Sequence, residues 1–290
     1  MSGSSFLTYA FGMWVGLSLA CALSWATSDL FSKRAMARGE ADEATAVWAK
    51  YLIALPFAIP LLLLGIPHLS ARFFLLQVIA FPLEILALLL YMRAIRLSPL
   101  SLTLPFLSLT PAFLLLIGFV ALRETPSLLA GFGVILITFG GYLLSAETWV
   151  PLSAIRKEKG PWLMIAVSFI YAITAALGKM LIAESSPTFF PAYYLGVMTV
   201  LFTPIAFLRR GRTLKFSVNL VFAGIFHAGM VVSHMAAIVL TKAAYMIALK
   251  RLAGVFGVIY GRFFFGEKRL LRRLIAAGIM FLGAFMVSLG

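Results

Sequence analysis

Long apolar runs of about 20 residues alternate with short polar connections along the whole chain. A helix needs about 20 apolar residues to cross a hydrocarbon core about 30 Å thick, so each run predicts a membrane-spanning helix. A membrane-spanning strand would alternate apolar and polar residues, and stretches such as 128–144 do not. The predicted fold class is therefore all-α, a polytopic membrane protein with ten transmembrane helices. The predicted spans lie near residues 11–32, 46–65, 73–92, 99–122, 127–146, 161–183, 190–208, 216–240, 243–265 and 270–289.

The composition supports this interpretation, because 62% of the residues are hydrophobic and only 12% are charged. Soluble domains carry about 25% charged residues, so no room remains for a soluble domain. The start MSGSSFLTYA contains no Lys or Arg, and we expect the first helix to be retained rather than cleaved as a signal peptide. The net charge of +14 is scattered over short loops, which predicts no nucleic-acid partner. Cys21 is the only cysteine, so an intramolecular disulfide is excluded.

The two halves of the sequence resemble each other. The segment YMRAIRLSP (91–99) aligns without gaps on HMAAIVLTK (234–242), which is an offset of 143 residues. The same offset pairs Glu124 with Glu267, and it also pairs Gly140 with Gly283 and Ser145 with Ser288. Collinear matches in several segments are harder to attribute to chance than one match between two apolar helices.

A further match joins WATSDLFSK (25–33) to YAITAALGK (171–179), at an offset of 146. We therefore predict two homologous halves of five helices each, residues 1–150 and 151–290. Because five is an odd number, the second half enters the membrane in the opposite orientation to the first. Inverted repeats are the architecture of secondary transporters, whose substrate site lies near the midplane where the halves meet.

The positions of Lys and Arg predict the orientation. Most loop cations follow the odd-numbered helices, and the other loops hold only Arg72, Arg123 and Lys242. The positive-inside rule then places the cation-rich side in the cytoplasm and both termini outside, in a multi-pass protein of the cell (inner) membrane. The cations of the rich side are Lys33, Arg34, Arg38, Arg93, Arg96, Arg156, Lys157, Lys159, Arg209, Arg210, Arg212, Lys215, Arg262, Lys268, Arg269, Arg272 and Arg273.

Three stretches carry a family resemblance: the hairpins LRETPSLLAGFGVILITFGGYLLS and FGEKRLLRRLIAAGIMFLGAFMVS, and the Pro-containing LSLTPAF. With the repeat, they make the whole chain resemble the ten-helix, EamA-like branch of the drug/metabolite transporter superfamily. The resemblance implies two inverted five-helix repeats and a transport function. It also implies cytoplasmic termini, whereas the charge count places them outside, and we follow the charge count.

The stretch IALKRLAGVFGVIYGRFFFGEK resembles the ninth helix of the triose-phosphate and nucleotide-sugar translocators. In that family a basic pair on this helix contacts phosphate, and the resemblance implies the same contact for Lys250 and Arg251. Those translocators use further cations on other helices, and no motif in this chain identifies their counterparts.

Polar residues recur at equivalent positions of the third and eighth helices. The offset of 143 pairs Glu84 with His227, and Tyr91 with His234. A spacing of seven residues is two helical turns, so the two polar residues of each helix share one face. Such faces turn into the bundle, where Glu84, His227 and His234 are candidates for substrate hydrogen bonds or a proton site. In the structural alternative, Glu84 pairs with a cation of the ninth helix and the histidines bind neighbouring carbonyl groups.

Two adjacent cations deep in the membrane are costly, which makes Lys250 and Arg251 the leading candidates for an anion-binding site. Neighbouring helical residues point about 100° apart, so one cation binds substrate while the other is free to pair elsewhere. The matched first and sixth helices add Trp25, Tyr171 and Thr174 as candidate substrate-binding residues.

The sequence therefore predicts a secondary active transporter or exchanger of a small polar, anionic metabolite, working by alternating access. No G-x-x-x-x-G-K-[ST] loop is present, so the energy is expected to come from a gradient of substrate, counter-substrate or protons. We expect no cofactor and no metal. The expected partners are a small-molecule substrate, a proton or counter-substrate as second cargo, and the lipid bilayer. We expect a monomer, because a fused inverted repeat removes the need for a dimer.

Three alternatives stay open. The first is a broad-specificity exporter of amino acids or amphipathic drugs. The second is an intramembrane enzyme, although H-E-x-x-H is absent and the only aspartates are Asp29 and Asp42. The third is a lipid scramblase or a regulatory membrane module.

Overall fold

Ten α-helices make up most of the part of the chain that the structure describes, and that part contains no strand. A computed structural model describes residues 3–97, 104–145, 159–208, 217–253, 255–256, 259–260 and 270–289. The helices are α1 (Gly3–Ala37), α2 (Glu43–Ala58), α3 (Ala71–Leu97), α4 (Thr110–Leu122), α5 (Leu128–Ser145), α6 (Lys159–Ala183), α7 (Phe189–Leu208), α8 (Val218–Ile238), α9 (Ala243–Lys250) and α10 (Leu270–Leu289). A 3-10 helix, Ile59–Leu64, extends α2, and a second one, Leu104–Leu109, leads into α4. The predicted all-α fold is confirmed.

The outer surface of the bundle is apolar, with side chains such as Leu63, Val120 and Leu128 almost fully exposed. In the described part of the chain, five helical segments are long and apolar enough by themselves to cross a membrane, and three shorter apolar helices accompany them. The five segments are Ala44–Leu64, Ala71–Tyr91, Trp162–Ala183, Phe189–Phe207 and Val218–Ile238. An apolar surface around helices of this length fits a hydrocarbon environment, in which the helices satisfy their own backbone groups.

The connections between helices contact one another in two groups, which define two sides of the bundle. On the first side Glu40, after α1, accepts hydrogen bonds from Ser217 Oγ at 2.6 Å and from Asn219 Nδ2 at 3.0 Å, at the start of α8. On the second side Glu184, after α6, accepts a hydrogen bond from Ser70 Oγ at 2.7 Å, just before α3. Helix α1 therefore ends on the first side and α6 on the second, so the two matched helices run in opposite directions.

A network around Lys179 closes the second side, and we name it the second-side clasp. Lys179, near the end of α6, donates hydrogen bonds to a carboxylate oxygen of Glu124 and to the Thr241 carbonyl oxygen. The other carboxylate oxygen of Glu124 accepts a hydrogen bond from the backbone N–H of Ala243 at 2.8 Å. The clasp joins the end of α4, the end of α6 and the start of α9.

The crossing of α5 and α10 repeats itself between the halves. A β-carbon on Gly133 would lie 2.6 Å from the Gly283 carbonyl oxygen, and a β-carbon on Gly140 would lie 3.0 Å from the Ala276 carbonyl oxygen. Positions 133 and 276 are 143 residues apart, as are 140 and 283, so one contact is the repeat of the other. Small residues allow this close approach. The predicted boundary between residues 150 and 151, like the predicted partner Glu267, lies outside the described residues.

The ninth helix is interrupted, and a 3-10 helix precedes the fourth helix at the corresponding position. The predicted span 243–265 is not one continuous helix, because α9 ends at Lys250 and the chain tightens into a turn at Arg251 and Leu252. There the backbone N–H of Arg251 bonds to the carbonyl of Ala248 at 3.0 Å. The equivalent residues of the first half form the 3-10 helix Leu104–Leu109. Interrupted helices at matching positions are the feature that marks the binding site in transporters with inverted repeats.

Candidate functional site

A cavity of about 290 Å³ lies between the two halves and is lined by residues from both. Binding pockets for small molecules range over about 300–1,000 Å³, so this cavity suits a small metabolite. The structure places all nine candidate residues from the sequence in its wall. They are Trp25, Glu84, Tyr91, Tyr171, Thr174, His227, His234, Lys250 and Arg251. The nine residues therefore share one cavity, and their binding of substrate stays a prediction.

Lys250 and Arg251 lie at the interruption of α9, against Trp25 of α1. The Lys250 Nζ atom is 4.6 Å from the centroid of the indole ring, and the Arg251 Cζ atom is 5.4 Å from it. Both distances are within the range of a cation–π interaction, which stabilises a cation by about 0.5–2 kcal/mol. The carbonyl groups at the end of α9 add a negative partial charge beside the two cations. These contacts allow two like charges to lie next to each other.

Neither cation has an ion pair in the described part of the chain. No carboxylate of that part lies within 4 Å of Lys250 or Arg251, so the alternative in which Glu84 pairs with one of them is not formed. The Nε atom of Arg251 is buried and has no hydrogen-bond partner among the described residues. An anion that enters the cavity would therefore meet two cations whose charges no side chain of the described part neutralises.

The sequence interpretation missed Lys50 of α2, which lines the same cavity. Its Nζ atom forms an ion pair at 2.9 Å with Asp29 of α1. Lys50 is largely buried whereas the Asp29 carboxylate is half exposed. A single cation in the apolar run AVWAKYLIAL (46–55) was the available signal, because an ionisable residue inside a membrane span is a functional candidate by default.

A pair of tyrosines also escaped the sequence interpretation. The hydroxyl oxygens of Tyr51 in α2 and Tyr194 in α7 are 3.4 Å apart in the cavity wall. The two residues are repeat equivalents, since the offset of 143 aligns AKYL (49–52) with AYYL (192–195). A pair of equivalent residues in contact lies on the axis that relates the two halves, so this contact marks the centre of the molecule.

Glu84 and His227 flank the tyrosine pair. The Tyr194 hydroxyl donates to Glu84 Oε1 at 3.4 Å, and the Tyr51 ring packs edge-on against His227 with 5.0 Å between ring centroids. Because the offset of 143 relates both pairs, the two contacts are repeats of each other. We name these four residues the central quartet.

The histidines are not held by carbonyl groups in the way the structural alternative requires. His227 is 7% exposed, and neither of its ring nitrogens has a hydrogen-bond partner within the described residues. The Nδ1 atom of His234 is likewise buried, and within that same part of the chain it has no partner. A buried ring nitrogen without a partner is costly, which points to a ligand as its missing partner.

The remaining lining combines hydroxyl groups with apolar surface. The Thr174 hydroxyl faces the Glu84 carboxylate. The phenol groups of Tyr91 and Tyr171 lie near enough to Arg251 to interact with its charge. Large apolar lining residues include Phe81, Leu88, Phe190, Met230 and Met235. Within the described residues no group of three His, Cys, Asp or Glu side chains could hold a metal ion.

Comparison with known proteins agrees with this geometry. A solved crystal structure is 15% identical in sequence, covers 93% of this chain and 98% of its own, and superposes with a TM-score of 0.70, which shows a shared fold. No curated protein matches the chain. The profile of the EamA-like transporter family matches residues 12–146 and again residues 158–289, and members of this family are membrane transporters and not enzymes. Because the two matches cover nearly the whole of this multi-pass membrane protein, the chain belongs to the EamA-like transporter family.

Proposed function

We propose that this transporter is a secondary active carrier or exchanger of a small polar metabolite that bears negative charge. The observation that carries the proposal is the pair Lys250 and Arg251, two cations in the cavity without a carboxylate partner in the described part of the chain. Guanidinium and ammonium groups are the usual ligands of phosphate and carboxylate. A buried cation left unpaired costs several kcal/mol, and an anionic substrate would supply the missing partner.

The position of the cations supports a transport site rather than a structural pair. They lie where α9 is interrupted, at the position equivalent to the 3-10 helix that leads into α4. Both cations lie over the same Trp25 ring, so a single anion beside that ring could contact both. The cavity volume of about 290 Å³ limits that ligand to a small metabolite.

We propose that the protein works by alternating access between its inverted halves. The second-side clasp would hold the cavity closed on one side, while the half-exposed carboxylate of Asp29 lies at the opposite approach to it. The charge count supports a cytoplasmic first side, external termini and a location in the cell membrane. A single chain containing both halves supports a functional monomer.

A second candidate, a broad-specificity exporter of amino acids or amphipathic drugs, is favoured by the aromatic lining of the cavity. Aromatic faces bind apolar and cationic groups with little geometric demand. In that case the aromatic rings, and not Lys250 and Arg251, would determine affinity. The aromatic lining residues are Trp25, Tyr51, Phe81, Tyr91, Tyr171, Phe190 and Tyr194.

Thermal stabilisation of the purified protein tests the proposal. The probes are glucose 6-phosphate, succinate, lactate, phenylalanine and uridine, applied to the wild type and to the Lys250→Met and Arg251→Met variants. A ligand at about a hundredfold its Kd stabilises the folded state by about 2.7 kcal/mol, which raises Tm measurably. We expect the anions to stabilise the wild type, and we expect each cation variant to lose that response.

Arg72→Met is the matched control, because Arg72 forms an exposed ion pair with Glu184 outside the cavity. It should keep the response to anions. Stabilisation by phenylalanine or uridine that persists in the Lys250→Met variant would support the exporter instead. If no anion stabilises the wild type, the proposal of an anionic substrate is wrong.

A further inference from the structure

The central quartet places an acid and a base at equivalent positions of the inverted halves. Glu84 contacts Tyr194, and its repeat equivalent His227 contacts Tyr51. Both side chains line the cavity that holds Lys250 and Arg251. Carboxylate and imidazole are the side chains that most readily exchange a proton near neutral pH when their surroundings change.

Glu84 has no ion pair in the described part of the chain, since no cation there lies within 4 Å of its carboxylate. The groups that face it are Tyr194 of α7, Thr174 and Tyr171 of α6, Tyr51 of α2 and Lys250 of α9. A buried carboxylate with only hydroxyl partners and a more distant cation is stabilised by a bound proton. Glu84 therefore has both the chemistry and the surroundings of a proton-binding site.

His227 has free nitrogens where Glu84 has a tyrosine partner. Both ring nitrogens lack a hydrogen-bond partner within the described residues, and the side chain is 7% exposed. The titratable and charged groups that face it are Tyr51 and Lys50 of α2 and Lys250 of α9, and His234 lies on the same face of α8. Two nearby cations oppose a further positive charge on the ring, and an anion in the cavity would remove that opposition.

Because Glu84 and His227 share the cavity with Lys250 and Arg251, proton binding and anion binding influence each other electrostatically. A proton on either Glu84 or His227 adds one positive charge to the cavity, and an anion bound at Lys250 and Arg251 adds negative charge to the same space. Each therefore favours the other, and such coupling is reciprocal by thermodynamic necessity. A group that is protonated only in the anion-bound state carries its proton with the anion and releases it on the other side.

We infer that Glu84 and His227 are the proton-binding sites of an anion–proton symport. One proton binds to a carboxylate oxygen of Glu84 or to a ring nitrogen of His227, crosses with the anion, and leaves with it. No other bond forms or breaks. This inference rests on the proposed anionic substrate, because the electrostatic coupling requires a negative charge in the cavity.

Calorimetric titration tests the coupling. Glucose 6-phosphate, succinate and lactate are titrated into the wild type and into the Glu84→Gln/His227→Asn double variant, from pH 5.5 to pH 8.5. Each titration is made in two buffers of different ionisation enthalpy, which counts the protons taken up. The ionisation of each ligand is common to both proteins, so the difference between them counts the protons of the two side chains.

We expect affinity for the bound anion to rise in the wild type as the pH falls. Coupling to one proton changes Kd by up to about tenfold per pH unit. In the double variant, Kd should change less steeply with pH than in the wild type, and anion binding should take up fewer protons. Glutamine keeps the size of Glu84, whereas asparagine is smaller than histidine, so a melting curve is needed to check that the variant is folded.

The matched controls are Glu184→Gln and His68→Asn, two residues in the connections on the second side, away from the cavity. They should keep the slope of the wild type. If an anion binds with the same pH slope in the wild type and the double variant, the proton inference is wrong and the proposed function stands. If none of the three anions binds the wild type at any pH, the proposed function fails first.

Discussion

The two halves of the protein pack in the same way but carry different side chains at equivalent positions of the cavity. The contact of Gly133 with Gly283 has its counterpart in the contact of Gly140 with Ala276. Backbone approach is conserved between the halves because it depends only on the absence of a side chain. The two halves therefore share the same close crossing of α5 and α10.

The cavity wall departs from this symmetry where charge is concerned. Lys250 of the second half is the repeat equivalent of Leu107 of the first half, at the offset of 143, and both line the cavity. His227 of the second half likewise stands where the first half has Glu84. The second half therefore supplies most of the positive charge, so a bound anion would take a defined orientation toward it. In the proposed function, the shared packing would serve the exchange of conformations, and the unequal side chains would select the anion.

The largest expected effect comes from breaking the shared packing. In Gly283→Val the new β-carbon would lie 2.6 Å from the Gly133 carbonyl oxygen and 2.9 Å from the backbone nitrogen of Ile137. Backbone atoms cannot move aside as a side chain can, so α5 and α10 must separate. We expect a loss on the order of 3 kcal/mol in the free energy of unfolding, measured by thermal unfolding of the purified protein.

The matched control is Gly278→Ala on the same helix, where nothing lies within 4 Å of the added carbon. Alanine is a better helix former than glycine by about 1 kcal/mol, so this variant should melt at the same temperature or higher. Equal melting of Gly283→Val and Gly278→Ala would contradict the close crossing of α5 and α10.

An intermediate effect on stability is expected at the contact between Tyr51 and Tyr194, where the two halves differ in their hydrogen bonds. The Tyr194 hydroxyl contacts both Tyr51 and Glu84, whereas the Tyr51 hydroxyl contacts Tyr194. A hydrogen bond contributes about 1 kcal/mol to stability, so Tyr194→Phe should destabilise the protein more than Tyr51→Phe, by up to about that amount. Thermal unfolding of the two variants side by side measures the difference. Equal destabilisation would show that the Glu84 contact contributes nothing.

The smallest effect concerns the loop contact of Glu40, which resembles that of Glu184 on the other side but includes Asn219 where Glu184 has Arg72. Hydrogen bonds from Ser217 and Asn219 lower the pKa of the Glu40 carboxyl in the first-side loop. A folded-state pKa below the unfolded value means that the contact stabilises the protein above the unfolded pKa of about 4.3. This stabilisation is lost as the pH falls through the lower folded-state pKa.

The connection after α6 has a similar contact, in which Glu184 accepts a hydrogen bond from Ser70 and pairs with Arg72 instead of an asparagine. Substitution of Glu40 therefore tests the first-side member of a pair of similar contacts. We expect Glu40→Gln to melt at a slightly lower temperature than the wild type at pH 7, and the two melting temperatures to converge near pH 3. Melting curves across this range measure the effect, and a constant difference at every pH would argue against the pKa shift.

Sequence by itself determined the membrane helices, the repeat and most of the polar positions of the cavity. Runs of apolar residues determine spans because a hydrocarbon core accepts only helices or closed barrels, and an ionisable group within a span must turn inward. This rule singles out Glu84, His227, Lys250 and Arg251. It does not single out Tyr51 and Tyr194, because a tyrosine carries no charge and is common in apolar runs.

Only the tertiary structure decided which side chains meet. Sequence allowed Glu84 to pair with Lys250 or Arg251, and the structure instead places both cations on Trp25 and pairs Lys50 with Asp29. It also ends α9 at Lys250, inside a span that reads as one helix. The physical reason is that hydropathy reports which faces avoid lipid, whereas ion pairs and helix interruptions depend on distances between helices that are remote in sequence.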